Sequence, residues 1–309
     1  MTVLLSGSTG FLGSYLLKSF VNNGYKVIAL KRTSSKIYRI QEYLNQVTFY
    51  DIDKTELFTV FENNQIDIVI NTVTNYGRKE TKISSILDTN LIFGLKLLEE
   101  SVNNNVKAFI NTDTLLDRNI NPYALSKSQL VDWMKFLSNN QTKMINIKIE
   151  HMYGAKDDEN KFIYWLVSQL KNNVKKIDLT SGIQKRDFIY IDDIANAYEV
   201  IIKNVDKFSD YKEFELGSGN SIEVKEFVKQ ILRELSMNQT IITELNFGAI
   251  SYRQNENMDM KANIKKLEDL GWKPKVSIED GIKYILNGEK NDTTRTIKTR
   301  NIRKNKRIL

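Results

Sequence analysis

The chain has no cysteine in its 309 residues and a single histidine, His151. Disulfides, a thiolate nucleophile and cysteine-ligated metals are thereby excluded, and a histidine-built metal site or a His-centred triad lacks the members it needs. Proline occurs twice, and no Pro- or Gly-rich stretch marks a linker. No apolar run approaches the roughly 20 residues that a membrane span requires. The first residues enter an apolar strand with no basic region or cleavage site, so no signal peptide is expected and a soluble cytoplasmic enzyme is the default. Hydrophobic residues at 41% and charged residues at 27% suit a globular protein with a well-buried core.

Lys and Arg number 45 against 38 Asp and Glu, a formal net charge of +7. Much of the excess falls in the segment 288–309. A basic arm can serve nucleic acid or a membrane surface, but this one has little apolar periodicity and reads as a solvated, disordered terminus. We therefore expect neither a nucleic-acid nor a membrane partner.

What the chain does have is a glycine turn in a telling context. Val3-Leu4-Leu5-Ser6 is an apolar strand, Gly7-Ser8-Thr9-Gly10-Phe11-Leu12-Gly13 follows, and Phe11, Tyr15, Leu16 and Phe20 then recur at helical spacing. Glycines spaced G-x-x-G-x-x-G let the backbone turn sharply, approach a ligand and pack a helix on a sheet. Amide groups at that helix N-terminus then face a pyrophosphate. Residues 7–13 are thus candidate dinucleotide ligands. Further strands are predicted at Lys26–Leu30, Val47–Tyr50, Asp67–Asn71, Lys107–Asn111 and Asn146–Ile149, with helices at 11–22, 54–63, 84–103 and 123–138. Such alternation predicts an α/β fold, a Rossmann-type doubly wound parallel sheet over 1–150. Beyond 150 the rhythm breaks. A smaller C-terminal substrate lobe is expected over 151–287, with segments that interleave with the first domain, followed by the basic tail.

Tyr123-Ala124-Leu125-Ser126-Lys127 places a phenol and an ammonium on one helix face. A Lys ammonium beside the phenol lowers its pKa, so Tyr123 can pass a proton near neutrality while Lys127 also reaches a ribose. The segment Asn111-Thr112-Asp113-Thr114 ends the preceding strand and offers a hydroxyl, from Thr112 or Thr114, to the oxygen on which Tyr123 acts. At the end of the second strand, where an NAD enzyme places an acid, stand Lys31 and Arg32. Two cations there favour the 2′-phosphate of NADP(H).

Together these motifs resemble the extended short-chain dehydrogenase/reductase family acting on nucleotide sugars. Ile149–Gly154, Lys185-Arg186-Asp187-Phe188-Ile189-Tyr190-Ile191-Asp192-Asp193, Gly217-Ser218-Gly219 and Arg253 extend the likeness over nearly the whole chain. The resemblance implies that Asp51 and Ile52 flank the adenine and that Asn71, Thr72 and Val73 run beside the nicotinamide ribose. It makes Thr112 the preferred catalytic hydroxyl over Thr114, and gives Arg186 and Arg253 to the substrate diphosphate. It also makes His151, Tyr76, Thr114, Lys161 and Phe162 substrate contacts, while Asp192 and Asp193 cap the helix they begin. Thr114 replaces the Glu of the 4,6-dehydratases, and the missing Cys removes the acid–base pair of the C3/C5 epimerising members. The pieces at 111–114, 149–154, 159–163, 247–250 and 253–256 are similar to members that reduce a CDP-linked 4-keto-3,6-dideoxyhexose for surface polysaccharide. The implied function is an NADPH-dependent 4-ketoreductase, a homodimer by resemblance. The alternatives are a nucleotide-sugar 4-epimerase with retained NAD, and a non-catalytic NADP-binding protein.

Overall fold

The computed structural model describes every residue except 79–81, 139–140, 160, 254–255 and 288–309. The tail expected at 288–309 lies outside the described residues. The first half alternates as its apolar periodicity dictates. Strand β1 (Thr2–Ser6) feeds α1 (Phe11–Asn22), and β2 (Lys26–Lys31) and β3 (Thr48–Asp51) precede α2 (Leu57–Glu62) and β4 (Ile68–Asn71). Helices α3 (Ile83–Leu87) and α4 (Phe93–Asn103) are joined by a π turn at Asp88–Ile92. Then come β5 (Ala108–Thr114), α5 (Pro122–Phe136) and β6 (Lys143–Ile149).

The second half supplies β7 (His151–Tyr153), α6 (Phe162–Lys171), β8 (Lys176–Leu179), β9 (Lys185–Arg186), β10 (Phe188–Tyr190) and α7 (Ile191–Lys203). These are followed by β11 (Tyr211–Leu216), β12 (Ile222–Glu223), α8 (Val224–Ser236), β13 (Glu244–Phe247) and α9 (Lys265–Glu268). A last helix, α10, covers 278–287. Seven strands form one sheet in the order β11-β6-β5-β4-β1-β2-β3, every pair parallel. This is a doubly wound Rossmann-type sheet. Its strand order reverses between β1 and β4, and ligands bind at the carboxyl ends beside such a switch point. The two halves interleave: β11 extends the main sheet beyond β6, and α7 packs on α1. The smaller lobe carries only two-stranded sheets, β10 with β7, β12 with β9 and β13 with β8.

Because successive strand residues point to opposite faces, the sheet buries apolar side chains on both. Val3, Leu5, Val27, Ile68, Ile70, Ile110 and Ile145 meet Leu16, Leu17 and Phe20 of α1 and Tyr198 and Ile201 of α7. On the opposite face Leu4, Ile28, Val69, Phe109 and Met144 meet Leu97 and Leu98 of α4 and Met134 of α5. Each fully buried side chain of this size contributes roughly 1.5–3 kcal/mol, which fixes the sheet as a rigid base for the loops at its carboxyl edge.

Two acids of the motif beginning at Arg186 hold the smaller lobe together. Asp187 accepts the amides of Ser218 (2.7 Å), Gly219 (3.0 Å) and Ala262 (3.2 Å). Asp193 was expected to cap α7. Its carboxylate instead accepts the amides of Lys275 (3.0 Å) and Val276 (2.9 Å), and α7 begins without a side-chain cap. The physical reason is that Pro274 and the buried Trp272 bring an extended segment against α7 whose amides have no strand partner.

Candidate active site

The glycine turn is built for close approach. Gly7 has φ +71°, a conformation that suits glycine, and Gly10 donates to its carbonyl (2.9 Å). A Cβ on Gly13 would fall 2.1 Å from the Gly7 carbonyl oxygen, so only glycine lets α1 start this near the turn. Helix α1 has Gly10 at its N-cap, no side-chain cap and no acid in its first turn. Its first amides are left for an anion. The geometry therefore fits a dinucleotide pyrophosphate. Ser8 is buried and bonded to the Leu30 carbonyl (3.0 Å), and Thr72 Oγ1 to the Ser6 carbonyl (2.7 Å), so both hold the turn in place.

A strap that no sequence motif signals closes over this turn. The Arg39 side chain, 7% exposed, donates from Nη2 to Asp158 (2.8 Å) and from Nε to the Lys156 carbonyl (2.8 Å), with Nη1 3.5 Å from the Thr9 carbonyl. It joins the loop after β2 to the segment after β7 across the glycine turn.

Helix α5 carries the proton-transfer pair. Asn121 caps it, accepting the Ala124 amide (2.8 Å), and Pro122 opens its first turn. That local chemistry fixes Tyr123 at the sheet edge and Lys127 one turn on. Tyr123 is hydrogen-bonded to Thr114 and its ring lies 5.1 Å from that of Tyr76. Asn90, buried in the π turn, accepts the Asn75 amide (2.7 Å) and donates to the Asn75 carbonyl (2.9 Å) and Ser126 Oγ (3.0 Å). It thereby sets Tyr76 against α5. Lys161 Nζ, paired with Asp157 (2.8 Å), stands over the rings of Phe11 (4.9 Å) and Tyr76 (5.8 Å). The glycine turn, Tyr76 and Tyr123 are thus neighbours.

Two expectations change here. Lys127 does not touch the phenol. Its buried ammonium donates to the Thr112 carbonyl (2.6 Å), with the Val73 carbonyl at 3.5 Å. The Tyr123 pKa is accordingly not lowered. Burial, with Tyr76 and the Asp113 charge, pushes it up against the opposing Thr114 bond and Arg78, while burial brings Lys127 down to about 8 although Asp113 opposes it. The hydroxyls also divide. Thr114 faces Tyr123, whereas the Thr112 hydroxyl bonds the buried Tyr198 of α7 (2.7 Å) and contributes its carbonyl to Lys127.

Asn71 spends its side chain on Ser6 and Asn111 inside the sheet, and its Oδ1 also lies 3.4 Å from the Val73 amide. Arg186 and Arg253 come together on a residue not singled out from the sequence, Glu256: the buried Arg186 contacts Glu256 Oε1 and Arg253 Nε lies 2.5 Å from Oε2. Glu256 stands three residues after Arg253, which was the available signal. His151 is exposed, edge-on to Phe188, with Nδ1 2.9 Å from the buried Glu150 carboxylate. Phe162 begins α6, partly exposed and tilted against Trp165. No described His, Cys, Asp and Glu group is arranged to hold a metal ion.

A Rossmann-type sheet with this turn and a Tyr/Lys helix defines a dinucleotide-binding oxidoreductase. The chain belongs to the NAD dependent epimerase/dehydratase family, matched over residues 3–217. CDP-abequose synthase of Salmonella muenchen is 34% identical over 292 residues, covering 92% of this chain and 96% of that protein. UDP-glucose 4-epimerase from Thermotoga maritima, solved with UDP-glucose, superposes with TM-score 0.79 at 22% identity over 95% of this chain and all of its own. UDP-glucuronic acid 4-epimerase from Bacillus cereus, in complex with UDP-glucuronic acid and NAD, gives 0.78 at 21% identity over 92% and 98%.

The expected NADP(H) is corrected by solved structures of this fold, several of which, the Bacillus cereus epimerase among them, hold NAD. The reason is visible after β2. Lys31 lies 3.9 Å from Asp51, whose carboxylate also takes the Thr33 hydroxyl (2.6 Å) and is held below the usual range chiefly by that bond. Asp53 accepts the Thr33 amide (2.9 Å). The Asp51 carboxylate offsets Lys31, and Arg32 is left exposed. Ile52, whose amide bonds the Lys31 carbonyl (2.9 Å), continues that edge.

Proposed function

We propose that the protein oxidises and re-reduces C4 of a nucleotide-linked hexose with a retained NAD, in the manner of a 4-epimerase. Tyr123 exchanges a proton with the C4 oxygen, and the Thr114 hydroxyl aligns that oxygen beside the phenol. Bound NAD supplies the acceptor and donor of hydride. Lys127, anchored on the Thr112 carbonyl, brings positive charge to the site. Arg186 and Arg253, gathered on Glu256, serve the substrate diphosphate, where guanidinium forks suit phosphate oxygens. Tyr76, Lys161, Phe162 and His151 line the hexose side.

The observation that carries the retained cofactor is the Arg39 strap. It joins two loops across the turn that holds the pyrophosphate, so release requires breaking an ion pair that is buried on the Arg39 side. A second reading, reduction of a 4-keto-deoxyhexose on CDP, is supported by the 34% identity to CDP-abequose synthase.

The two readings separate on cofactor balance. Purified protein is denatured and assayed for released NAD, then native protein is given UDP- and CDP-hexoses. A retained NAD and C4 interconversion without net change at 340 nm are expected. Stoichiometric consumption of added reduced dinucleotide with a CDP-4-keto sugar would establish the second reading instead. Tyr123→Phe should lose at least about a hundredfold in turnover while keeping its NAD.

A further inference from the structure

Between Thr112 and Thr114 on β5 lies Asp113, a buried acid whose charge bears on both Tyr123 and Lys127. Residues of alternate parity point to opposite faces. Thr112 turns to the α7 side, where its hydroxyl bonds Tyr198, and Asp113 turns to the opposite side of β5, where Asn146 and α5 lie.

Asp113 terminates a chain of side-chain amides that crosses the sheet one strand at a time. Ser6, Asn71, Asn111, Asn146 and Glu213 are register partners on β1, β4, β5, β6 and β11. Ser6 Oγ donates to Asn71 (2.9 Å), Asn71 to Asn111 (3.1 Å) and Asn111 to Asn146 (3.1 Å). Asn146 Nδ2 then donates to Asp113 Oδ2 (2.9 Å) and Glu213 Oε2 (3.1 Å). The asparagines are at most 1% exposed. Every amide dipole in the chain is aligned the same way, donors leading toward the carboxylates, and such chains polarise one another in a low-dielectric interior. The far carboxylate, Glu213, is answered by Lys148 (2.8 Å) and the Tyr211 hydroxyl (2.9 Å). Asp113 is left to answer a charge in the site.

That charge is Lys127. Lys127 is 1% exposed and, among the described residues, its ammonium bonds only neutral carbonyls, an arrangement that strongly favours the neutral amine unless a negative charge lies close. Among the described residues, Asp113 from β5 bears on Lys127 and Tyr123, Tyr76 and Arg78 from the segment after β4 act on Tyr123, and Asp113 is itself faced from β11 by Tyr211 and by Glu213, which shares the Asn146 donor.

We propose that Asp113 is a positioning residue of the active site, a carboxylate oriented by the asparagine ladder that keeps Lys127 protonated beneath Tyr123 at working pH. It touches no substrate and acts through Lys127. Burial brings Lys127 down while the Asp113 charge holds it up, so removing that carboxylate shifts the amine toward its neutral form.

The role of Lys127 in turnover rests on the C4 reading above, but its charge can be read without turnover. In protein labelled with 13C-lysine, the Lys127 Cε resonance, assigned by its loss in Lys127→Met, is titrated in wild type and in Asp113→Asn. The asparagine can still accept from Asn146. The Lys127 midpoint should fall by about one pH unit or more. An unmoved midpoint in a folded Asp113→Asn protein overturns the proposal. Asp113→Ser, smaller and also neutral, gives the same test if the first variant does not fold. The alkaline limb of kcat should move with the midpoint. A limb that stays while the midpoint falls would refute the use of Lys127 in C4 chemistry and leave the Asp113–Lys127 coupling supported.

Discussion

Gly13 is where the cofactor turn and helix α1 are in closest contact, and replacing it by alanine tests the turn directly. The added Cβ would lie 2.1 Å from the Gly7 oxygen, 2.7 Å from the Gly7 carbonyl carbon and 3.0 Å from Ser8 Cα. All three are backbone atoms, so no side chain can swing aside. Carbon contacts settle near about 3.5 Å, and the first turn of α1 must therefore withdraw by about 1 Å. Overpacking of this kind costs about 1–3 kcal/mol, and the helix propensity gained by replacing glycine offsets about 1 kcal/mol. A net loss on the order of 1 kcal/mol is small for the fold. It is large for a site whose amides must meet a pyrophosphate, where a misplacement of roughly 1 Å can cost about a hundredfold. Calorimetric titration with NAD should show affinity falling at least about tenfold in Gly13→Ala, while thermal denaturation shows a folded protein with a modestly lower midpoint. Gly10, whose Cβ would meet only the Gly7 oxygen at 3.2 Å, should tolerate alanine with little change in midpoint. Wild-type NAD affinity in Gly13→Ala would refute this account of the turn.

Three further outcomes are expected. Thr114→Val should depress kcat far more than Thr112→Val, because only Thr114 bonds Tyr123; steady-state kinetics on the two variants decides, and equal losses would count against the geometry. Arg39→Ala and Asp158→Asn should each speed NAD release, and the double variant should add little beyond Arg39→Ala, which already breaks the ion pair; stopped-flow displacement measures this. Lys127 has a folded pKa of about 8 against an ordinary 10.5, so between those values the unfolded chain binds a proton the native chain has shed. Its contribution to stability therefore rises with pH through that window, and denaturant titrations of wild type minus Lys127→Met should show that slope and no such slope below about 8.

What could be read from the sequence was local. Strand β1, the glycine turn and α1 declare themselves within about twenty residues because apolar period, glycine placement and helix start are all short-range properties. The Tyr123–Lys127 spacing is likewise a fact of one helix, fixed by Asn121 and Pro122 beside it. The tertiary structure decided whatever depended on a partner far along the chain. Thr112 and Thr114 share one strand face, so periodicity could not separate them; Tyr198, 86 residues on, claims the Thr112 hydroxyl. Lys31 and Arg32 read as a phosphate site until β3 laid Asp51 beside Lys31 and offset its charge. Asn111 and Asn146 look like ordinary polar residues in sequence, and Asn71 like a cofactor contact. They become one hydrogen-bonded ladder only when parallel pairing sets them in register, because a buried amide must find its partner on the neighbouring strand.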